Sequence, residues 1–333
     1  MKNAEAYLDF SGIKTYSALE RTNLVKIEDL KRPESDAAPA WDCPEFDTLV
    51  DRIVRARKNA RPVILFMGAH VIKNWLSLYL IELMKKGIIT HIAGNGACSI
   101  HDFELCYLGG TSEHVPTAIE DGSFGMWEQT GRWMNEAIIE GAKAGRGYGE
   151  SLAVYMQQHP QRFPHGDACA LYQAYCMDIP ATYHIALGTD IIHQHPICDF
   201  SAIGKTSGVD FHRFAHSVSQ LDGGVFLNFG SGVIGPEVFL KALSIARNLG
   251  YKTFDITTAN FDLIDLGDYK KNIGYDDPHY YYRPRKNIIN RPVSQGGMGF
   301  HFCVDHKVSL PNLYARVMQR TGGAAFSSAR TSG

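Results

Sequence analysis

Acid–base and hydrogen-bonding side chains follow apolar runs at several points in this 333-residue chain. In HIAGNGACSIHDFE (91–104), an apolar run ends in asparagine and glycine, and a histidine and two carboxylates follow. In IALGTDIIHQHP (185–196), a similar run ends in Gly-Thr-Asp before His193 and His195. Imidazole exchanges protons near neutral pH, and carboxylate or amide oxygens accept hydrogen bonds from ribose hydroxyls and amines. We therefore expect proton-transfer chemistry beside a bound small molecule.

The rest of the sequence supplies an alternation of strands and helices that can position these side chains. About six short apolar runs, among them RPVILFMGAH (61–70) and GGVFLNFGSG (223–232), are separated by amphipathic patterns such as WLSLYLIELMKKG (75–87). Parallel strands are buried on both faces and need long crossovers between them. The pattern predicts an α/β fold with an open, mostly parallel, Rossmann-like sheet and helices on both faces.

Composition divides the chain into three parts. Residues 1–45 include the polar, proline-containing stretch KRPESDAAPAWDCP and are predicted to form an arm or linker, which can also cross to a neighbouring subunit. Residues 46–320 carry the strand and helix patterns and are predicted to be one catalytic domain. The small, polar residues of 321–333 predict a flexible tail.

Charge and cysteine usage limit the class of partner. A net charge of −2 argues against a nucleic-acid surface or a basic membrane-binding face. The N-terminus has no apolar core of signal-peptide length, and the longest apolar runs are well short of a bilayer span. The seven cysteines are scattered without a C-x-x-C pair, which suits a reducing compartment and predicts neither a disulfide framework nor a zinc knuckle. We expect a cytoplasmic protein that binds a small molecule, without nucleic acid or membrane.

The predicted strand ends favour a bound nucleotide. Open parallel sheets bind ligands past the carboxyl ends of their strands, where small residues let the backbone approach closely. These ends read GAH (68–70), GNGA (94–97), GTD (188–190), GSG (230–232), TTAN (257–260) and VDH (304–306). Neither a G-x-G-x-x-G fingerprint on the first strand nor a P-loop occurs. Ordinary tight turns use the same residue types, which is the alternative interpretation.

The order of these segments resembles the deoxyhypusine synthase family across roughly residues 46–320. The stretch from Gly68 to Gly110 is similar to that family's strand, helix, strand and cofactor loop, and DITTANFD (255–262) is similar to a later strand end. The resemblance implies a Rossmann-like NAD enzyme, usually a homotetramer with active sites at subunit interfaces. It implies NAD contacts at Asn95, Gly96, Thr189, Asp190, Thr258, Ala259 and Asp305.

The chain departs from that family at its catalytic lysine. The family's Ser-Trp-Gly-Lys motif is absent, and in YDDPHYYYRPRKNIINRPVSQGG (275–297) Pro292 stands where the lysine would be and Asn290 where the tryptophan would be. The family's active-site histidine falls on Pro236. The resemblance therefore implies NAD-dependent transferase or lyase chemistry with transient hydride transfer, without the family's own lysine.

The acidic residues with which the family binds polyamines are also altered. The family's Arg-Pro-Asp-Glu reads Arg-Pro-Arg-Lys at 283–286. The predicted substrate-binding residues are Asp276, Asp277, Arg283 and Arg285. A change from carboxylates to cationic groups favours a small anionic substrate over spermidine. A solvated loop face without bearing on the substrate is the alternative.

A short set of side chains is predicted to carry acid–base or imine chemistry. It comprises Lys286, His193, His195, His184 and His101, with His306, Lys205 and Lys73 as further candidates. Use of Lys286 as an imine-forming amine would give polyamine aminobutyl transfer, with homospermidine or deoxyhypusine as product. For each histidine, a hydrogen-bonded structural role is the alternative.

Two other classes of protein remain open. His193 and His195 lie two residues apart, so on a strand they would share one face and could bind a metal together with Asp190, Asp199 or His184. That arrangement would make the protein a metal-dependent hydrolase. A catalytically silent relative that binds a nucleotide to regulate a partner is the other alternative.

Overall fold

The computed structural model describes residues 8–271 and 273–326, which are built around a six-stranded parallel sheet. In chain order the strands are β1 (Val25–Lys26), β2 (Val63–Met67), β3 (His91–Asn95), β4 (Gly110–Thr111), β5 (Ala181–His184), β6 (Val225–Phe229), β7 (Thr257–Asp262) and β8 (Met298–Cys303). The central sheet has the order β5-β3-β2-β6-β7-β8, with every neighbouring pair parallel. β1 and β4 form a separate antiparallel pair. The predicted fold class is confirmed.

The chain builds this sheet outward from its middle in two directions. After β2 it adds β3 and β5 on one side, and it then crosses back to add β6, β7 and β8 on the other side. This is the doubly wound, Rossmann-like order, in which a crevice opens at the carboxyl ends of the two central strands. The connectivity therefore places the expected ligand site beyond the ends of β2 and β6.

Helices cover both faces of the sheet. They are α1 (Pro44–Lys58), α2 (His70–Lys73), α3 (Ser77–Lys85), α4 (Gly96–Leu108), α5 (Val115–Asp121), α6 (Glu128–Lys143), α7 (Tyr148–Gln158), α8 (Ala170–Cys176), α9 (Phe200–Ser219), α10 (Ile234–Asn248) and α11 (His306–Thr321). Along β2, Val63, Leu65 and Met67 pack with α1, α3 and α11, whereas Ile64 and Phe66 pack with α9 and α10. Because successive strand residues point to opposite faces, this double covering explains the nearly continuous apolar runs of the sequence.

The residues before α1 lie against the domain. Arg21 donates two hydrogen bonds, of 2.9 and 2.7 Å, to the carboxylate of Glu104 in α4, and both side chains are buried. A buried charge without a partner is strongly disfavoured, so removal of either group would leave the other unpaired. This ion pair therefore fixes the arm to the helix that follows β3.

The C-terminal end of the described chain packs on α3. Phe326 donates a backbone hydrogen bond to the carbonyl of Lys86. Residues 327–333, most of the predicted tail, lie outside the described residues. Among residues 8–271 and 273–326, no helix has the length and apolar composition of a membrane span.

The outer edge of β5 is closed by a side chain of α9 instead of another strand. Oδ2 of Asp210 accepts hydrogen bonds from the backbone N–H groups of Tyr183 (2.8 Å) and Gly149 (3.0 Å). Its Oδ1 accepts none from the described residues. Burial raises the pKa of Asp210 to about 7, although these two hydrogen bonds act in the opposite direction. The edge of the sheet thus depends on a buried carboxyl group that ionises near neutral pH.

We predict that Asp210→Asn removes a pH-dependent loss of stability. The pKa of Asp210 is about 7 in the folded protein and has its ordinary value of 3.8 in the unfolded chain, so the folded protein holds the proton more tightly. The stability that the protonated carboxyl group contributes is therefore full below pH 3.8 and is lost as the pH rises to about 7. Asparagine keeps an acceptor oxygen for the two N–H groups and carries no charge. As the pH rises through this range, the free energy of unfolding of the variant, measured with urea, should increase relative to that of the wild type by up to about 4 kcal/mol.

The control is Asp178→Asn, which removes one exposed carboxylate. Its free energy of unfolding should run parallel to that of the wild type between pH 4 and 7. A constant difference between Asp210→Asn and the wild type over the same range would contradict the role given to Asp210.

Candidate active site

Two glycines bring the central strands into backbone contact at the crevice. The N–H of Gly68, directly after β2, donates to the carbonyl of Phe229 (2.8 Å), and a Cβ at Gly68 would lie 2.4 Å from the carbonyl oxygen of Gly230. Gly230 itself has a φ of +67°, which L side chains rarely adopt. A Cβ at Gly232 would meet no atom within 4 Å, so the loop beyond the contact borders open space. The backbone is therefore accessible where the two loops diverge.

Imidazole and ammonium groups surround this contact. The ring of His306, at the start of α11, lies beside Gly230, because a Cβ there would be 2.5 Å from its Nε2. Burial, together with the positive field of His70, lowers the pKa of His306, against the raising effect of nearby carboxylates. Burial lowers the pKa of His101 to about 4, and Lys73 and His70 add to that effect. The rim of the crevice thus offers nitrogen donors to an anionic group such as a phosphate.

A carboxylate and a helix N-terminus meet beside β3 and β5. Asn95 ends β3 and caps α4, with its Oδ1 accepting from the N–H of Cys98 (3.2 Å). The carboxylate of Asp190 lies against Gly96, where a Cβ would be 1.8 Å from Oδ2. Only glycine fits beneath this carboxylate. Burial raises the pKa of Asp190 to about 6, which suits a group that gains and loses a proton near neutral pH.

His193 lies next to Asp190 with its ring orientation fixed by the backbone. Its Nδ1 accepts hydrogen bonds from the N–H groups of Gly188 and Asp190, both at 3.1 Å. Its Nε2 lies 3.9 Å from Oδ2 of Asp190, and neither atom has a hydrogen-bond partner among the described residues. Burial lowers the pKa of His193. The pair is therefore a neutral imidazole and a buried carboxyl group with one free atom each.

The two histidines of HQHP do not share one face of a strand, because Ile191–Gln194 form a 3-10 turn. His195 points instead to Glu128 of α6, with its Nε2 3.3 Å from the carboxylate. Asp199 caps α9 through the N–H of Ser201. Within residues 8–271 and 273–326, no three His, Cys, Asp or Glu side chains converge as a metal site. The strand geometry on which the metal interpretation depended is therefore wrong.

His184, at the end of β5, is held in the sheet. Its Nε2 lies 3.3 Å from the hydroxyl of Thr182, and its ring stacks on Phe66 with centroids 5.6 Å apart. Burial lowers its pKa to about 3, so the imidazole stays neutral at ordinary pH. These contacts match the hydrogen-bonded structural role that the sequence left as the alternative.

The predicted nucleotide contacts fall into two groups. Asn95, Gly96, Thr189, Asp190 and Asp305 all lie at the carboxyl ends of strands. Thr258 and Ala259 instead lie inside β7, fully buried, and the Thr258 hydroxyl donates to the carbonyl of Ile288 (2.6 Å). TTAN begins β7 instead of ending it, and the strand continues to Asp262. The side chains of Thr258 and Ala259 therefore do not reach the crevice.

The predicted substrate-binding residues follow β7 in an excursion over the far side of the sheet. Arg285 is buried and donates to the carbonyl of Lys271 (2.7 Å), and more weakly to those of Leu266 and Asp268. Arg283 pairs with Glu237 (3.3 Å). Asp276 is exposed, and Asp277 accepts from the backbone of its own turn. Arg285 therefore does not bind an anionic substrate as predicted, because its guanidinium is bound to the protein's own carbonyls.

Lys286 lies in a π-helical turn (Arg285–Asn290) that packs on β7. Its Nζ is 3.2 Å from the ring centroid of Tyr280, and partial desolvation lowers its pKa. The Asp190–His193 pair lies three to four strand positions away, beside β3 and β5, which corresponds to roughly 15–20 Å. The predicted catalytic residues therefore form two separate groups within one chain.

Sequence reasoning missed a buried polar ladder across β6, β7 and β8. Asn228 donates to Asn260 (2.7 Å), which donates to Nδ1 of His301 (3.1 Å) and to the hydroxyl of Tyr282 (3.2 Å). Asn228 also donates to the carbonyl of Ser231 (2.9 Å), so the ladder fixes the loop after β6. The signal was present as asparagines within otherwise apolar runs. The sequence predicts a strand end at Asn260 because its partners lie on other strands, which the sequence does not show.

Comparison with known proteins finds distant structural likenesses. No protein-family model and no curated protein matches the chain. Similar solved structures include the arginine dihydrolase ArgZ from cyanobacteria in its apo form (TM-score 0.45, 13% identity, covering 84% of this chain and 33% of ArgZ). They also include a LOR/SDH protein of Methanococcus maripaludis S2 (TM-score 0.48, 14% identity, covering 86% of this chain and 71% of that protein). A third is AgrE in complex with ornithine and NAD+ (TM-score 0.46, 11% identity, covering 84% of this chain and 33% of AgrE).

The chain spans about a third of the length of the ArgZ and AgrE chains. Identities of 11–14% with TM-scores below 0.5 restrict the likeness to the general fold. None of these three proteins is a deoxyhypusine synthase, so that resemblance remains an inference from the sequence. The strand order defines the fold class, which is a doubly wound α/β chain with a six-stranded parallel sheet.

We predict that Gly68→Ala destabilises the fold, whereas Gly232→Ala does not. The new methyl at residue 68 would meet a backbone carbonyl that cannot rotate away, and overpacking of this kind costs about 1–3 kcal/mol. The methyl at residue 232 would enter open space. Urea unfolding of both variants measures the difference. Equal stability of the two would contradict the backbone contact between β2 and β6.

Proposed function

We propose that the protein is an NAD-dependent enzyme that transfers a hydride to or from a small molecule. The observation that carries this proposal is the doubly wound strand order, with the close contact of Gly68 and Gly230 at the point where it reverses and open space beside Gly232. Dinucleotides bind such sheets across the point where the strand order reverses. The proposal rests on this chain's own geometry.

The residues around the crevice fit a dinucleotide. The backbone of the loop after Gly230, where Gly232 borders open space, would hold the pyrophosphate together with His306 and with Lys73 on α2, because N–H and ammonium groups are its usual partners. Nδ1 of His306 is buried without a partner among the described residues, as are Oδ2 of Asp190 and Nε2 of His193. Asn95, Gly96, Thr189, Asp190 and Asp305 remain the proposed cofactor contacts. When bound, the nicotinamide would supply the hydride acceptor.

The chain's own acid–base groups lie beside β3 and β5. Asp190 is the proposed proton acceptor, because it is buried and has a free oxygen. His193 would donate through Nε2, because its Nδ1 is already bound to two N–H groups. His101 would assist at the rim, where its Nδ1 is held by Thr111 (2.7 Å). His195 would act indirectly, through Glu128.

Transferase chemistry of the deoxyhypusine synthase kind is the second proposal. It would use the amine of Lys286, which lies over the ring of Tyr280 and whose pKa is lowered, because the neutral amine is the form that attacks a carbonyl or captures an imine. Lys286 does not reach the Asp190–His193 pair within one chain, so this proposal also requires a homo-oligomer, such as a tetramer, with sites at subunit interfaces. Asp276, Asp277 and Arg283 would then line the approach to Lys286.

We predict that Gly232→Leu weakens NAD+ binding without unfolding the protein. The added side chain has room in the fold but enters the space proposed for the dinucleotide. Calorimetric titration should show at least about a tenfold loss of affinity, equivalent to ~1.4 kcal/mol.

The matched control is Gly204→Leu, on α9, where a Cβ likewise meets no atom within 4 Å. It should bind NAD+ as the wild type does. Absence of NAD+ binding by the wild type would overturn the enzyme proposal, and binding without turnover of any small molecule would favour the silent, regulatory alternative.

The lysine route predicts a covalent adduct at Lys286. The protein is incubated with NAD+ and spermidine, treated with borohydride and digested, and peptide masses are compared with those from Lys286→Arg. An adduct on the wild-type peptide that is lost in the variant is the expected result of aminobutyl transfer. An unmodified Lys286 peptide, with faster NADH formation from a small anionic alcohol than from spermidine, would favour the first proposal instead.

A further inference from the structure

Two buried polar atoms face each other without a hydrogen bond beside β3 and β5. Asp190 is 8% exposed and His193 3% exposed, and their free atoms, Oδ2 and Nε2, are 3.9 Å apart. That separation is too long for a hydrogen bond between them. Buried polar atoms are nearly always paired, so two adjacent free ones require a reason.

The backbone decides what each atom offers. Two N–H groups point at Nδ1 of His193, so that nitrogen is an acceptor and the hydrogen lies on Nε2. If Nδ1 also carried a hydrogen, its N–H would face the two backbone N–H groups and be repelled by them. The ring therefore stays neutral. Oδ2 of Asp190 can only accept while the carboxyl group is ionised. The pair therefore presents one donor and one acceptor to the same small volume.

A hydroxyl is the group that satisfies both atoms at once. One oxygen about 2.8 Å from each would accept from Nε2–H and donate its own hydrogen to Oδ2. A phosphate or carboxylate has no hydrogen for Asp190 and would face its charge, and an ammonium group cannot accept from Nε2–H. We propose that Asp190 and His193 form a receptor for a single hydroxyl of a bound molecule, either a ribose hydroxyl of the dinucleotide or a hydroxyl of the substrate.

The loop that donates to the His193 ring is exposed to solvent. Gly188 has a φ of +90°, and a Cβ there would meet no atom within 4 Å. Leu187 is 56% exposed although apolar, and Thr189 is exposed. On the opposite side the carboxylate rests on the backbone of Gly96, which prevents it from turning away. The receptor therefore has a rigid floor on one side and an exposed glycine-containing loop on the other.

The geometry of this pair does not depend on the proposed function, but the identity of the molecule that carries the hydroxyl does. If the hydroxyl belongs to an alcohol substrate, its hydrogen passes to the Asp190 carboxylate, the carbinol hydride passes to NAD+, and the carbon–oxygen bond becomes a carbonyl. His193 stays neutral and keeps its hydrogen bond to the oxygen throughout. If the hydroxyl belongs to ribose, no proton moves and the pair selects NAD+ over a ribose bearing a phosphate at that position.

The experiment uses Asp190→Asn and His193→Asn. Asparagine at residue 193 places an oxygen where Nδ1 accepts the two N–H groups and removes Nε2, so the loop keeps its internal contacts. Asp178→Asn, at an exposed residue with a left-handed φ of 56° that asparagine tolerates, is the control. Thermal unfolding is measured first to check that all three variants are folded.

Two titrations separate the sources of the hydroxyl. Calorimetry with NAD+ should show at least about a tenfold loss in both site variants and none in the control if the ribose is bound. If NAD+ affinity is retained, formation of NADH from glycerol, L-lactate and L-serine should fall at least about tenfold in the same two variants. If both variants keep the NAD+ affinity and the NADH formation of the wild type, the proposal is overturned. The same holds if no alcohol reacts and NAD+ binding is unchanged, and the pair would then bind a structural water instead.

A ligand-free measurement keeps this inference distinct from the proposed function. The imidazole nitrogen spectrum of His193, assigned with His193→Asn, should show the neutral Nε2–H form from pH 6 to 8. A hydrogen on Nδ1, or a cationic ring at pH 6, would overturn the receptor even if NAD+ binds. Failure of NAD+ to bind, with the Nε2–H form present and its resonance shifted by glycerol, would reject the cofactor and retain the hydroxyl receptor.

Discussion

The backbone contact between Gly68 and Gly230 is the constraint on which the site depends. Parallel strands can approach this closely at their carboxyl ends only where no side chain intervenes, and a Cβ at Gly68 would lie 2.4 Å from the opposing carbonyl. Beyond this contact the chain diverges, toward α2 on one side and α10 on the other. The crevice is thus a consequence of strand order combined with two glycines. Side chains from β3, β5 and β8 then supply the chemistry around it.

Buried polar atoms without a partner mark candidate functional groups where they lie near the carboxyl edge of the sheet. The Arg21–Glu104 pair and Arg285 are buried, and most of their polar atoms are occupied by partners within the chain. Asp190, His193 and His306 are also buried, yet each keeps one free atom near the carboxyl edge. Leaving a buried polar atom unpaired costs about 1–3 kcal/mol. Such groups are expected to persist where a ligand completes them.

Periodicity predicted the sheet because parallel strands are buried on both faces, as β2 shows residue by residue. It also located the loops bearing Asn95, Asp190 and Asp305. It failed where tertiary contacts decide the local structure. TTAN was placed at a strand end because asparagine usually marks turns, but Asn260 is paired with Asn228 and His301 on adjacent strands. Arg285 was predicted to bind the substrate because of its positive charge, but three backbone carbonyls from one excursion hold its guanidinium inside the protein.

The separation of Lys286 from Asp190 and His193 bears on the type of chemistry. Covalent capture requires an amine within bonding distance of the carbon that loses the hydride, and within one chain the described groups beside β3 and β5 are a carboxyl group and a neutral imidazole. Those two can orient a hydroxyl and take its proton but cannot form an imine. Lys73 lies at the rim on α2, and its positive charge lowers the pKa of His101. Under the proposed function, a single chain would suffice for carbinol oxidation, whereas the lysine route would need a second subunit to complete the site.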